Sequence, residues 1–491
     1  MAKKTTFNIS KTDNFSEWYS EILNKAEVTD LRYGVKGFVV IRPWGARIID
    51  KMFRIYESAL RATGHDPVIF PAVIPEGNFK RESDHVEGFA PDVFWLENVK
   101  GDDKLALRPT SETAFYDMFK LWVRSYRDLP LKLYQRANVF RNETKATRPL
   151  IRSREFHWIE THNAFATKKD AEAQVQDDIL MTDEVMRKIF GVPFLPMKRP
   201  QWDKFPGAEY TVGSDSILPD GKVIQQPSTH LINQSFLKAF DVKFVDEKEK
   251  DKTPWSTCYG PCMSRILASV LSMHGDDNGL VLPYTLAPIQ VVIVPFDGKG
   301  VDSAVEDIRA QLLNEYIDVK IDDSDKRPGE KFFFWEMKGV PFRMEIGEKE
   351  LGNDEVTLFT RDTKEKTTVS IRDLPETIKN LGAEYDERLL ARADDFFSDK
   401  VVDCKDKAAI KKALDSGGSS ADPKARSSGA KVARFSFCSA DEAGAGCAEY
   451  IEKELQARVM GTRADKKEKA SGKCPICGKK NSVVVYAGKS Y

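Results

Sequence analysis

Arg141, Arg148 and Arg152 crowd one short stretch of the chain, with Glu143 and Lys145 between them. Guanidinium groups at that density hold phosphate oxygens by paired, charge-assisted hydrogen bonds, so the stretch suits a nucleoside triphosphate. Directly after it, Arg154, Phe156, Trp158, Glu160 and His162 alternate with Glu155, His157, Ile159, Thr161 and Asn163. Side chains in a strand change faces at every residue, so the first set shares one face. Its rings offer a stacking surface, and its carboxylate and imidazole are costly to bury without partners. A half-buried sheet with a polar rim explains the strand alone equally well, because aromatic residues favour strands whatever their job. The adjoining arginines tip the reading toward a nucleotide site.

Other residues could add chemistry. Thr110 and Glu112 open a helix after Pro109, where Thr110 suits an N-cap and Glu112 complements the positive end of the dipole. The functional alternative is capture of an ammonium group by a hydroxyl and a carboxylate. Arg265 falls in the first turn of a helix that follows Gly260-Pro261, where a cation opposes the dipole and a bound anion would resolve the conflict. Ala268, Ser269 and Ser272 lie on its side of that helix. Phe205, Gln225, Ser228 and His230 are candidates by position only, and a hydrogen-bonded core histidine is the ordinary reading of His230. In the tail, the tight turn Cys474-Pro-Ile-Cys477-Gly presents two thiolates to one ion, and Cys438 and Cys447 would complete a tetrahedral structural zinc site. Closed four-thiolate coordination leaves no position for catalysis. Cys258, Cys262 and Cys404 read as packing thiols.

These residues need elements to position them. The 491 residues allow about three domains, and 75 Lys+Arg against 76 Asp+Glu give no global nucleic-acid signature, so any such site is a local patch. No apolar leader is read in MAKKTTFNISKTDNF. The apolar run 279–296 is broken by Pro283, Pro288 and Pro295, and reads as two strands, not a membrane span. Periodicity predicts helices over 15–25 and 46–63, the second with Ile49, Met52, Phe53, Tyr56 and Leu60 on one face and Gly64 as its stop. A strand at 68–70 runs into Pro71, and a strand pair spans 92–107 around Gly101-Asp102. The helix after Glu112 carries Phe115, Phe119, Trp122 and Tyr126. An amphipathic helix fills 168–189, and Pro261 sits near the first position of the helix bearing Arg265. Beyond Pro288 strands and helices alternate, which predicts an α/β domain with a mixed sheet. Helical sequence continues to Leu414, and 416–429 is a flexible Ser/Gly/Pro loop.

The segments Leu107-Arg-Pro-Thr-Ser-Glu112, Arg141-Asn-Glu143 through Phe156, Lys204-Phe-Pro-Gly-Ala-Glu-Tyr-Thr211, Gly260 to Arg265 and His274-Gly-Asp-Asp-Asn-Gly-Leu-Val-Leu-Pro283 occur in one order. Together they resemble the class II aminoacyl-tRNA synthetases, specifically the prolyl enzymes of archaeal and eukaryotic type, across essentially the whole chain. The long helix and the strand ending at Pro71 look like motif 1 at a dimer interface, 141–156 like motif 2, and 260–265 with its helix like motif 3. Arg327-Pro-Gly-Glu-Lys331 and Lys338-Gly-Val-Pro-Phe-Arg343 resemble the anticodon-binding domain, and the terminal cysteines the zinc domain.

The resemblance implies an α/β (α+β) architecture. A catalytic domain with an antiparallel sheet would occupy 1–285, a mixed-sheet anticodon-binding domain 286–382, and a small zinc-binding α+β domain 383–491. It implies ATP-dependent activation of L-proline and transfer to the 3′ end of tRNA(Pro), in a cytoplasmic homodimer, with Mg2+ on the phosphates and structural Zn2+ in the tail. By that likeness Arg141 and Arg265 are catalytic. Arg141, Glu143, Arg152, Phe156, Gln225, Ser228 and Arg265 would bind ATP, with Phe156 and Arg265 sandwiching adenine. Thr110, Glu112, Arg141, Trp158, His162, Phe205 and His230 would bind proline, and Cys438, Cys447, Cys474 and Cys477 the zinc. Ser228 departs from a common threonine, Gln226-Pro227 from small residues, and Gly347-Glu-Lys-Glu350 from a commoner Gly-Pro-Arg-Asp run, so no anticodon base is assigned there. Motifs 2 and 3 are too close for a large editing insertion, which implies detectable activation of alanine or cysteine. The competing readings are a threonyl or seryl enzyme, or an inactive tRNA-binding paralogue. A threonyl enzyme would need cysteine and histidine zinc ligands around the pocket, a seryl enzyme a long N-terminal arm, and a dead paralogue would have lost phosphate-binding arginines.

Overall fold

The computed structural model describes residues 7–81, 93–97, 104–143, 146–415, 429–480 and 483–491. Lys145, the turn at Gly101-Asp102 and most of the 416–429 loop lie outside them. At the centre is an eleven-stranded sheet. Its middle is Leu195–Lys198, Ala208–Ile217, Val223–Ile232, Trp255–Tyr259, Glu155–Phe165 and Leu131–Phe140, each antiparallel to the next. Helices Phe15–Lys25, Pro43–Ala62 and Met263–His274 bury their apolar faces in one shared core with Tyr134, Ile159 and Tyr259. The predicted stripe of Pro43–Ala62 is buried throughout, and Gly64 follows with φ of +80°. On such a helix these residues recur at i, i+3 and i+4, so packing, not propensity, holds it in place.

Several expectations shift. The strand before Pro71 is Asp66–Pro67, parallel to Leu131–Phe140, and only the Val68 N–H extends the pairing, by donating to Tyr134 O at 2.8 Å. Leu105–Leu107 pairs with Val73–Pro75 and also bridges the 94–96 segment. The helix after Pro109 ends at Trp122, and Tyr126 belongs to a separate 3-10 turn, Tyr126–Asp128, closed by Ser125. Pro261 precedes the N-cap Cys262. The run 279–296 holds one strand, Val291–Pro295. Leu280 and Leu282 instead donate to Met337 O and Gly339 O, tying this connection to the C-terminal end of the helix Pro328–Lys338.

The second sheet is mixed, in the order Val319–Ile321, Val291–Pro295, Phe342–Ile346, Glu355–Thr360, Lys366–Ser370. The first three strands are parallel and the last two join antiparallel. The helix Leu374–Asp399 runs through the expected boundary at 382/383: Ile378, Tyr385 and Leu389 pack on this sheet, while Phe397 reaches the tail core. A strand the helical reading of 383–414 missed, Val401–Asp403, then pairs with Val432–Phe437.

The tail strands continue the central sheet. Thr462 and Arg463 of Arg458–Arg463 pair with Lys198 and Met197. Gly461 sits at this seam with φ of +125°, where a Cβ would meet Lys198 O at 2.0 Å, so only glycine fits the bulge. Beneath it the buried Arg199 guanidinium forks onto Asp215 at 2.5 and 2.7 Å and donates to Met460 O at 2.9 Å. Among the described residues no helix is long and apolar enough to cross a membrane.

Candidate active site

The two long strands, Leu131–Phe140 and Glu155–Phe165, place Gln135 opposite Glu160, Val139 opposite Phe156 and Ala137 opposite Trp158. Glu160 is a hub. Its two oxygens accept from the Thr110 hydroxyl and the Ser111 N–H, each at 3.0 Å, and from Gln135 Nε2 at 2.7 Å, with His162 Nε2 3.1 Å away. Burial alone would push this carboxyl up. The hydrogen bond and charge of His162, and the bonds from Ser111, outweigh it and hold Glu160 at about 2. Thr110 therefore does not cap the helix Glu112–Trp122: the N-cap is Ser111, which makes no side-chain capping bond, and the Thr110 hydroxyl turns to Glu160. Ser111, Gln135 and the hub role of Glu160 escaped sequence reasoning. The register of the hairpin, which no local sequence pattern fixes, is what places Gln135 opposite Glu160.

Glu112 is 3 % exposed and takes a hydrogen bond from the Tyr116 hydroxyl at 3.1 Å. Burial raises its carboxyl above the usual range. His162 packs against Phe115, with ring centres 4.3 Å apart and the planes tilted by 36°. Across the sheet, Phe205 lies 4.9 Å from the His230 ring, which is held between the hydroxyls of Thr211 at 2.8 Å and Ser228 at 3.0 Å. Burial lowers His230 to about 3, so it is a neutral bridge. The structure thus gathers Thr110, Glu112, His162, Phe205 and His230 along the middle of one sheet.

Arg141 continues the hairpin, its guanidinium 5.3 Å from the Phe156 ring centre and 5.9 Å from that of Trp158. Its Nε donates to Pro109 O at 3.4 Å, joining the arginine to the segment that bears Thr110. The Trp158 ring passes Gly260, where a Cβ would come within 3.3 Å of the indole. Arg265, in the first turn of Met263–His274, donates to Ile151 O at 3.1 Å and to Gln225 O at 3.4 Å. Gln225 and Ser228 flank a register shift in their strand. Arg152 and Glu143 pair at 3.2 Å, and Arg152 also donates to the main-chain oxygen of Tyr491 at 3.1 Å. Tyr491, with its ring beside Arg148 and its hydroxyl on Asp220, brings the tail to the arginine cluster, a contact no sequence signal announces. Arg141, Arg152 and Arg265 thus stand around one end of the hairpin with Phe156, cations beside a stacking ring.

In the tail, one sulfur from each of Cys438, Cys447, Cys474 and Cys477 lies within 4.8 Å of the others. The turn is shaped by Cys474, whose N–H donates to Lys479 O and whose carbonyl accepts from Gly478 N, both at 2.9 Å. Four thiolates around one Zn2+, each at about 2.3 Å, demand such proximity, so the donor set fits the ion. Cys258 packs as expected, in a buried cluster with Phe115, Ile232 and Phe236, and it also stands with Glu112 and His162 as a second group of donors.

An antiparallel sheet carrying a basic hairpin and an arginine-bearing helix mouth is the arrangement of a class II synthetase core. Residues 94–274 match the model "tRNA synthetase class II core domain (G, H, P, S and T)", and 290–381 match "Anticodon binding domain". A proline--tRNA ligase of Thermofilum pendens is 46 % identical over 98 % of both chains, and one of Methanococcoides burtonii is 40 % identical over 98 % of this chain and 97 % of its own. The Giardia lamblia prolyl-tRNA synthetase solved with prolyl-adenylate superposes with TM-score 0.91 at 35 % identity, covering 99 % of this chain and 100 % of that one. The Cryptosporidium parvum enzyme with L-proline and AMP gives 0.87 at 28 %, covering 99 % of each. The chain belongs to the proline--tRNA ligase family.

Proposed function

We propose that this chain joins the carboxylate of L-proline to the α-phosphate of ATP, expels diphosphate, and passes the prolyl group to the 3′-hydroxyl of the terminal ribose of tRNA(Pro), releasing AMP. The observation that carries the reading is the 35 % identical neighbour holding prolyl-adenylate, over a pocket here that joins cations to a buried acidic wall. The nucleophile is already ionised, so no general base is required. Catalysis is positioning plus neutralisation of charge that builds on phosphate oxygens.

In this reading Arg141 holds the α-phosphate and the proline carboxylate. Arg152 and Arg265 take the outer phosphates, where a bound Mg2+ would supply further charge neutralisation, and an anion at Arg265 resolves its clash with the helix dipole. Phe156 and Arg265 enclose adenine, Glu143 reads its amino group, and Gln225 and Ser228 complete the ATP contacts. Glu112 and Thr110 receive the secondary ammonium, whose arrival favours the ionised form of Glu112 that burial opposes. Trp158, His162, Phe205 and His230 wall the ring, and neutral His230 adds no repulsion. The unit 1–285 would do this chemistry, 286–382 would take the anticodon, and 383–491 would be held by zinc on its four cysteines. A homodimer follows the motif 1 likeness, with Ile69, 94 % exposed beside Pro71, available to a second copy, and a cytoplasmic location follows the role in translation.

Amino-acid-dependent ATP–diphosphate exchange, run with proline, cysteine, alanine, threonine and serine and no tRNA, tests the reading. Proline should dominate, with alanine or cysteine detectable roughly 10–200-fold lower, the margin that about one methylene's worth of contact allows. A threonine or serine signal, or none at all, overturns it.

A further inference from the structure

The aminoacylation reading leaves one donor group beside the pocket without a task. Cys258 lies directly across the sheet from His162, and side chains directly opposite share a face. Glu112 reaches the same spot from the first turn of its helix, and one ligand atom from each of the three lies within 4.8 Å of the others. All three are buried, at 3 % exposure for Glu112, 2 % for His162 and 9 % for Cys258. A second observation is independent of this spacing. His162 uses Nε2 toward Glu160, while its Nδ1 is buried with no hydrogen-bond partner, an uncommon and costly state for a polar atom.

Carboxylate, imidazole and thiolate are the donor types of zinc, and three protein ligands with one open position is the pattern of sites that exchange a fourth ligand. We infer that Glu112, His162 and Cys258 bind a thiophilic divalent cation such as Zn2+ in the proline-free protein, and that this cation and proline exclude each other. As the sulfur–metal bond forms, the Cys258 proton leaves to solvent. No redox change is involved. The exclusion rests on the proline pocket proposed above: the metal occupies the Glu112 carboxylate that would meet the ammonium, and its charge repels that ammonium. The metal site itself does not rest on that reading.

The test starts from full-length protein carrying one Zn2+ per chain in the tail and titrates it with Co2+. A second ion per chain should bind, with a thiolate-to-cobalt absorption that L-proline abolishes, and added Zn2+ should inhibit proline-dependent exchange competitively with proline. Cys258→Ser should weaken the second ion more than about tenfold while retaining the exchange activity. Cys258→Ala should do the same, which guards against a folding fault peculiar to serine. A stoichiometry of one ion per chain, or a second ion indifferent to both substitutions, overturns the site. A second ion that proline does not displace overturns the exclusion. Absence of exchange with Mg2+ present and no Zn2+ or Co2+ added refutes the proline reading instead, and the cobalt titration still decides the site.

Discussion

Around Glu160, donors from three separate stretches of chain meet one buried carboxylate: Thr110 and Ser111, Gln135, and His162 on its own strand. In the tail, four thiols also meet, but the partners they find are one another. In the first group the carboxylate is satisfied by the protein's own hydrogen bonds, with no ion needed. The second needs an ion to justify its proximity, because thiols are weak donors and thiolates repel. Substrate chemistry is thus expected to depend on preorganised protein atoms, and the tail's integrity on a metal.

The largest effect should come from the cations that border the first region. Arg141→Ala or Arg265→Ala should lower proline-dependent exchange by roughly a thousandfold, the upper end for removing one preorganised charge-stabilising group, with thermal unfolding little changed. Near-normal turnover in either variant would separate the arginines from catalysis.

Glu160→Gln probes the hub itself. The amide keeps the shape but loses the charge that faces His162 and the convergent donors, so unfolding in urea should register a loss of about 3 kcal/mol, and the proline KM should rise. A loss below about 1 kcal/mol would mean the network is not preorganised in the sense argued.

Chelation addresses the second region. Removing zinc should speed hydrogen exchange around 438–447 and 473–480, while the hairpin strands Leu131–Phe140 and Glu155–Phe165 keep their protection. Complete loss of exchange activity with those strands still protected would give the metal more than a structural part.

The smallest effect is a slope. His230 is held near 3, below its ordinary 6.5, so the unfolded chain binds a proton that the folded chain refuses as pH falls below about 6.5. Stability is fully present above that pH and is lost as pH drops from 6.5 toward 3. His230→Gln should flatten the slope by at most about 1.4 kcal/mol per pH unit. His65 and His274, lowered by burial to about 4, act in the same direction and leave a residual slope. An unchanged slope would mean that His230 is solvated, not bridged.

Local signals carried much of this architecture. The 15–25 helix, the buried stripe of Pro43–Ala62, the strands Val319–Ile321 and Phe342–Ile346, and the cysteine turn follow from periodicity and spacing, because each is decided by residues a few positions apart. Val401–Asp403 was not legible: three residues in a helical, charged context become a strand only because Val432–Phe437 lies alongside. The run 279–296 misleads for the same reason, since Leu280 and Leu282 find their partners at the C-terminal end of the helix Pro328–Lys338, not in a ladder.

At the pocket, composition and order of motifs determined which residue types are present: clustered arginines, aromatic rings, carboxylates and hydroxyls. Only the tertiary structure decided their company. It turned Thr110 from helix cap to Glu160 donor, paired Gln135 with Glu160, set Cys258 beside His162 and brought Tyr491 to Arg152. These contacts span tens to hundreds of residues. Sheet register and the burial of opposing faces fix them, and a sequence pattern with a period of two or 3.6 carries no record of which distant strand will lie opposite.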